Sequence, residues 1–462
     1  MKLVEAKRWH RDRSAPGYKV WYDEWAQYPT RTLEDLNIST VQPNLDGYGG
    51  YRGLRGNKTG FFHTERIDGR WWIVDPDGNV FISIGVCGVR YVSGARNSHN
   101  PTYLKRIKQY PNPRDWAYDA MKLLKDHGFN TLGCWSDFEL FDEFPFTVFI
   151  GFSKQYRNGN VLKFFDPTFR EYAFQIAQQI CSKYKDNPYL LGYFSDNELP
   201  FRRSCMENYM SLPAGDPTKR AFIEVLRAQY GGDIKSFRRA WDVEVSSFDD
   251  LDTMNSLSPG PKCDKERVEQ DRAAWIQALS HEYYKVVSEA IKSADPNHMY
   301  LGSRINNLGT PEHLTECGKF ADIVSINCYG RWVWDQETLN RLAEWAQGKP
   351  LMVTEFYVKG EDSGLPNRTG AGWLVRTQRD RGLFYQNFTI SLLENPNVVG
   401  WHWYRYEDND PRNLTEDPSN RDSNKGIVNI QLEPYQDLLN LMRQLNFAAY
   451  EIALRAAKSL ST

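Results

Sequence analysis

Two glutamates stand where a charge is unexpected. The apolar stretch Leu190-Leu191-Gly192-Tyr193-Phe194 runs directly into Ser195-Asp196-Asn197-Glu198, and Leu199-Pro200 then breaks the pattern. A second apolar stretch, Pro350-Leu351-Met352-Val353-Thr354, ends in Glu355. Taken singly, each could pair with an arginine at the rim of a sheet. Taken together, two carboxyls facing one pocket can divide an acid–base task, because ionising one raises the pKa of the other. The chemistry that needs this division is glycoside hydrolysis. One carboxylic acid protonates the leaving oxygen while the other attacks the anomeric carbon, at a separation of about 5–5.5 Å in retaining enzymes.

Such a pair needs a framework that brings residues 198 and 355 to one place. From residue 80 onward, short β-branched or apolar runs occur at 80–88, 129–135, 146–151, 189–194, 299–303, 323–328, 351–355 and 398–403. Stretches of helical period lie between most of them, at 114–127, 167–184, 267–293, 336–347 and 373–393, and another closes the chain at 434–457. Buried-type strands alternating with helices imply parallel βαβ units. Eight of them point to an α/β fold, the (β/α)8 TIM barrel, with an open doubly wound sheet as the competitor. In a barrel the fourth and seventh runs lie across the mouth from each other. Residues 1–75 are Gly- and Tyr-rich and read as loops plus a short β element that packs on the barrel. The 71–86 region reads as a hairpin turning at Asp75-Pro76-Asp77-Gly78. Residues 76–462 make the barrel, interrupted by a helical insertion at about 199–297. This insertion and the loops at 90–113 and 407–425 would build the mouth.

Composition narrows the class. The 462 residues carry 57 Lys+Arg against 59 Asp+Glu, a formal charge of −2, which argues against a nucleic-acid partner. No apolar stretch is long enough for membrane insertion. The aromatic share, 14% with 15 Trp, 26 Tyr and 24 Phe, exceeds what a core requires and suits a surface that binds sugar faces. The seven cysteines include no Cys-x-x-Cys, and the eight histidines are scattered, so neither a disulfide framework nor a metal site is indicated. No phosphate-binding loop, dinucleotide fingerprint or Gly-x-Ser-x-Gly elbow occurs, so nothing calls for a cofactor. No signal peptide is visible at Met1-Lys2-Leu3-Val4, which leaves a cytoplasmic location, or a periplasmic or secreted one if a leader has been removed.

Longer motifs carry a resemblance. Asn197-Glu198 after the fourth run and Glu355 after the seventh form the signature of clan A of the glycoside hydrolases. Arg70-Trp71-Trp72-Ile73-Val74-Asp75-Pro76-Asp77-Gly78, Gly128 to Asp137, Gly192 to Leu199 and Gly400 to Asp408 resemble stretches of the family-50 β-agarases. The segment from Leu226 to Trp241 is similar to a helical insertion of family-42 β-galactosidases. Asn409-Asp410-Pro411 departs from the Asp-Gln pair of the agarase pattern. The resemblance implies Glu198 as general acid/base, Glu355 as nucleophile, Asn197 as a ligand of the sugar 2-hydroxyl, and Tyr329 as a hydrogen-bond donor to the nucleophile.

Aromatic residues near the run ends are candidates for sugar stacking, with rim packing as the alternative. They include Tyr91, Tyr404, Tyr406, Trp135, Trp332, Trp334, Trp401 and Trp403, and clan precedent favours Trp403. His402 alternates with the last two, so one side of that strand faces inward and the other outward. His402 is a candidate for sugar hydroxyls or a buried structural histidine. Arg90 and Asp137 are candidate polar subsite residues or a rim ion pair. The expected activity is retaining hydrolysis of β-galactosidic bonds in an agar-type or other red-algal galactan, so the partner is a poly- or oligosaccharide. The alternatives are a β-galactosidase or another clan A hydrolase, and a non-catalytic carbohydrate-binding barrel.

Overall fold

The computed structural model of the chain describes residues 1–12, 19–38, 40–92, 100–417 and 420–460, with 459 and 460 by backbone alone. Its first strands are β1 (Lys2–Lys7), β2 (Trp9–Arg11), β3 (Val20–Tyr22) and β4 (Ala26–Thr30). β1 pairs antiparallel with β4, and β2 with β3. β5 (Tyr51–Arg55), β6 (His63–Ile67), β7 (Arg70–Val74) and β8 (Asn79–Phe81) form a second antiparallel sheet in the order β5-β8-β7-β6. The expected hairpin is β7–β8. Its turn is tied by Asp75 Oδ1, which accepts from the backbone N–H of Asp77 and of Asn79 at 2.9 Å each, and Gly78 takes φ +92° where a side chain would be strained. Residues 1–75 therefore carry seven strands, more than the loops and short β element expected. Each strand is too short for a clear alternation, and some partners are remote, as where Ala6 pairs with Val375.

The run at 80–88 divides at Ile82. β8 stays with the hairpin sheet, and β9 (Ser83–Val86) enters the barrel beside β10 (Thr131–Leu132) and β11 (Phe146–Phe149). A two-strand ribbon, β12 (Arg157–Asn158) and β13 (Val161–Leu162), precedes β14 (Leu190–Phe194), β15 (Met299–Tyr300), β16 (Val324–Asn327) and β17 (Leu351–Glu355). β18 (Lys359–Gly360) and β19 (Leu374–Val375) extend the β1 sheet, and β20 (Val398–Trp403) completes the barrel. The eight-stranded sheet has the order β15-β14-β11-β10-β9-β20-β17-β16 with parallel neighbours throughout. Its two ends meet at a bridge between Ile305 and Ile326, where Ile305 N–H donates to Ser325 O at 2.9 Å and Asn327 N–H to Ile305 O at 2.8 Å. The sheet thus curls into a TIM-type barrel, and each of the eight runs supplies one strand.

The helices are α1 (Pro101–Gln109), α2 (Pro113–Asp126), α3 (Pro167–Cys181), α4 (Pro217–Gln229), α5 (Ile234–Trp241), α6 (Lys265–Ala294), α7 (Pro311–Phe320), α8 (Gln336–Trp345), α9 (Gln378–Leu393) and α10 (Gln436–Leu460). Their starts follow capping chemistry. Asn112 accepts from Arg114 N–H ahead of Pro113 in the first turn of α2, which buries Trp116, Ala117, Ala120 and Leu124 on one stripe. α9 starts at a Thr377–Asp380 capping box, later than the expected 373, because Leu374 and Val375 are drawn into pairing with β1. α1 and α7 were not anticipated as helices. α1 lies in the 90–113 segment expected to build the mouth, of which residues 93–99 fall outside the described residues. The same holds for 418 and 419 in the 407–425 loop.

Inside the barrel, Leu191, Met299, Leu301, Ile323, Met352 and Val399 pack into one apolar cluster with Phe62, Ile73 and Phe81 of the hairpin region. That cluster plugs the N-terminal end of the lumen and leaves the C-terminal ends of the strands to form the open face. Among the described residues no helix is long and apolar enough to cross a membrane.

Candidate active site

The polar segment after β14 is sorted residue by residue. Ser195 is bound to Tyr300 and Tyr283 by hydroxyl contacts of 2.8 and 2.9 Å. Asp196 accepts from Ser153 N–H, Ser153 Oγ and Tyr283 OH, so it is fastened into the framework. Asn197 and Glu198 face the cavity at the strand ends, and Glu198 takes φ +50°, a turn that carries its side chain over the mouth. The Glu198 carboxylate accepts from Asn327 Nδ2 at 2.9 Å and from Asn306 Nδ2 at 2.8 Å. Burial pushes its pKa up and the Glu355 charge pushes it further, to about 7, against the Asn327 amide, the Arg304 charge and the Asn306 amide.

Glu355 closes β17 and is buried. Arg304 Nη2 donates to its Oε1 and Tyr329 OH to its Oε2. Arg304 is itself fully buried, with its guanidinium 5.2 Å from the Phe194 ring centre and 5.8 Å from that of Trp135. Its Nε donates to Asn197 Oδ1 at 2.9 Å, and Asn327 Nδ2 approaches the same oxygen at 3.2 Å. Asn197 Oδ1 is thereby occupied, which leaves its Nδ2 for a ligand. One arginine so links Asn197 to Glu355, and one asparagine links Asn197 to Glu198. The two glutamates share a cavity of about 940 Å³ with Tyr329, Trp135, Arg90 and Tyr404 on its walls. Trp9 also lines it, and its Nε1 donates to Tyr329 O at 2.8 Å. Among the described residues no three His, Cys, Asp or Glu side chains group as a metal would require.

Of the residues singled out from sequence, Glu198, Glu355, Asn197, Tyr329, Trp135, Tyr404 and Arg90 line this cavity. The others lie elsewhere. His402 is the inward residue of β20, fully buried in the lumen beside Gly85, with Nε2 2.9 Å from Ser83 Oγ. Burial, helped by the Arg304 charge, pushes its pKa down to about 3, so the ring is neutral. Trp401 and Trp403 point to the opposite side of that strand and are fully buried. Trp401 Nε1 donates to Tyr385 OH of α9, and Trp403 Nε1 to Lys425 O, each at 2.8 Å. The strand alternation that puts His402 inward sends both tryptophans into the layer between barrel and helices. Trp332 is buried against the N-terminal segment, where its Nε1 reaches Pro29 O and Thr30 Oγ1 at 3.2 Å. Asp137 Oδ2 accepts from Tyr91 N–H at 2.9 Å, which ties the loop after β10 to the one after β9.

Arg304, Asn306 and Asn327 were not among the candidates. Two had a usable signal: Arg304 directly follows the run at 299–303, and Asn327 ends β16. Trp9 had none.

The glycoside hydrolase family 42 β-galactosidase model matches residues 153–354. β-Agarase B of Vibrio sp. (strain JT0107) is 25% identical over 95% of this chain and 55% of its own length. β-Agarase A of the same strain is 27% identical over 83% of this chain and 45% of its own. The chain therefore spans about half the length of the curated relatives it matches. Among solved structures, an exo-β-agarase superposes with a TM-score of 0.77 at 22% identity, over 92% of this chain and 69% of that one.

Proposed function

We propose that this chain, a β-agarase-like protein related to glycoside hydrolase family 50, is a retaining β-glycosidase that cleaves β-galactosidic bonds of an agar-type or other red-algal galactan. The observation that carries the reading is the pair of glutamates in one cavity with opposite surroundings. Glu355 is clasped by the Arg304 cation and the Tyr329 hydroxyl, while Glu198 has only neutral amides as hydrogen-bond donors and is pushed up to about 7.

In this reading Glu355 attacks the anomeric carbon as Glu198 gives its proton to the departing glycosidic oxygen. The bond from Glu355 Oε to the sugar removes the carboxylate charge that had raised the Glu198 pKa. Glu198, now ionised, takes a proton from water, whose oxygen attacks the same carbon and releases Glu355 as carboxylate. Asn197 Nδ2 is placed to donate to a sugar hydroxyl. Trp135 and Tyr404 supply faces on which a sugar can stack, and the relatives' names supply the agar-type substrate.

The test is product analysis on neutral and sulfated red-algal galactan oligosaccharides, with Glu355→Gln as the inactive control. Products formed by the parent and absent with Glu355→Gln support the reading. Restored turnover of an activated galactoside by azide in Glu198→Ala identifies a glycosyl-enzyme. Silence of the parent on all substrates overturns the reading. The family 42 match favours a second reading, β-galactosidase action on small galactosides, which the same panel separates by substrate size.

A further inference from the structure

Glycoside hydrolysis uses two carboxylates of the cavity and leaves its other charges without a role. Five arginines line it: Arg8, Arg11, Arg90, Arg331 and Arg405. Among the described residues, the acids on its walls outside the glutamate pair are Glu416 and Asp417. Arg331 is engaged by Asp335 at 3.0 Å, and Glu416 lies 3.9 Å from Arg405. Arg405 Nε is buried without a hydrogen-bond partner among the described residues. Arg90 has no carboxylate within 4.0 Å among the described residues. Burial and the Arg405 charge work against its cation and outweigh the Asp137 carboxylate, so its pKa is held below the ordinary guanidinium value.

Two guanidiniums that repel each other on one cavity wall are an unfavourable arrangement, which an anion between them relieves. The planar fork of arginine matches the oxygens of a sulfate or carboxylate in bidentate geometry. A sugar hydroxyl can accept from an arginine, but only an anion also offsets its charge. Arg8, exposed just before β2, also lines the cavity and adds positive charge that draws an anionic chain toward the site.

We propose that the wall formed by Arg90 and Arg405 is an anion subsite, and that the galactan fitting this chain carries a sulfate ester or a carboxylate on a sugar bound beside Glu198 and Glu355. The galactan identity rests on the glycosidase reading, whereas the subsite can be read by binding without turnover.

The test is titration calorimetry of the full-length Glu355→Gln chain against three oligosaccharide sets of matched length. One is neutral agarose-derived, one is sulfated and porphyran-derived, and one is the neutral set oxidised to uronate at C6. The expected result is binding of an anionic set about tenfold or more tighter than the neutral set, an advantage that shrinks as salt rises from about 50 to about 500 mM. Arg90→Gln in the same background should cut the anionic-to-neutral ratio about tenfold. Arg8→Gln, at an exposed position, should cut it about two- to threefold. Whether the sulfated or the uronate set gains identifies the source of the anion. Equal binding of all sets, no binding of either anionic set, or a ratio unmoved by both arginine variants overturns the proposal. Failure of the glycosidase reading looks different: the parent chain releases no product from any set, whatever the binding ratio.

Discussion

Glu198→Gln should make the protein more stable at pH 8 and change little at pH 4. The Glu198 carboxyl rises from 4.5 to about 7 on folding, a gap of about 2.5 pH units. Between those values the folded chain keeps a proton that the unfolded chain has released, so stability falls as pH rises through the window. Above about pH 7 the full cost is present, roughly 3 kcal/mol at about 1.4 kcal/mol per pH unit. Glutamine is neutral at every pH and escapes this cost. Its NH2 group will face one of the Asn306 and Asn327 donors, but that penalty does not depend on pH and cancels when the pH 8 and pH 4 differences are compared. For 462 residues the unfolding entropy is on the order of 1 kcal/mol/K, so the gain corresponds to about 3 °C in Tm. Differential scanning calorimetry of both proteins at one scan rate and both pH values reads it directly. An equal Tm difference at both pH values, or one that shrinks as pH rises, would show that Glu198 is ionised in the folded chain at neutral pH. The acid role would then lose its physical basis.

Galactan hydrolysis should fall about tenfold per pH unit above about pH 7, because Glu198 must carry its proton into the first step; a flat profile to pH 9 contradicts this. Asn327→Ala removes a donor that favours ionised Glu198, worth about 1.5 kcal/mol, so the alkaline limb should move up by about one pH unit while kcat drops. Tyr404→Ala should raise KM by about 10- to 100-fold through loss of a stacking face worth about 1.5–3 kcal/mol. Trp403→Ala should instead cost about 3–5 kcal/mol of stability, measured by denaturation, with KM of the folded fraction unchanged. Gly85→Ala places a Cβ 2.4 Å from His402 Cδ2 inside the lumen and should lower stability by about 1–3 kcal/mol in the same measurement.

The strand-end rule found Glu198 and Glu355 because a charged residue closing an apolar strand is visible locally, and the barrel then brings the two ends to one mouth. It left Trp401, Trp403 and His402 open between the cavity and the core, and all three are buried. Period-two alternation says that His402 opposes the tryptophans but not which side is the lumen. The lumen beside Gly85 and Gly133 has room for an imidazole, and the tryptophans pack where Tyr385 and Phe356 lie outside the sheet. Trp332 was left open for a related reason. Its hydrogen-bond partners, Pro29 and Thr30, are some 300 positions away in the chain, and no local pattern announces them.

The sequence by itself determined the eight strands, their order around the barrel, and the two glutamates at the ends of β14 and β17. All of these follow from local apolar periodicity and from where it is broken. It treated the two glutamates by their neighbours alone and could not say what each would meet. Tertiary structure decided that. It placed the Arg304 cation and the Tyr329 hydroxyl on Glu355, neutral amides on Glu198, and residues of the distant N-terminal segment in the cavity lining. A carboxyl's proton affinity depends on burial and on charges within a few ångströms, and those distances exist only once remote segments have packed together.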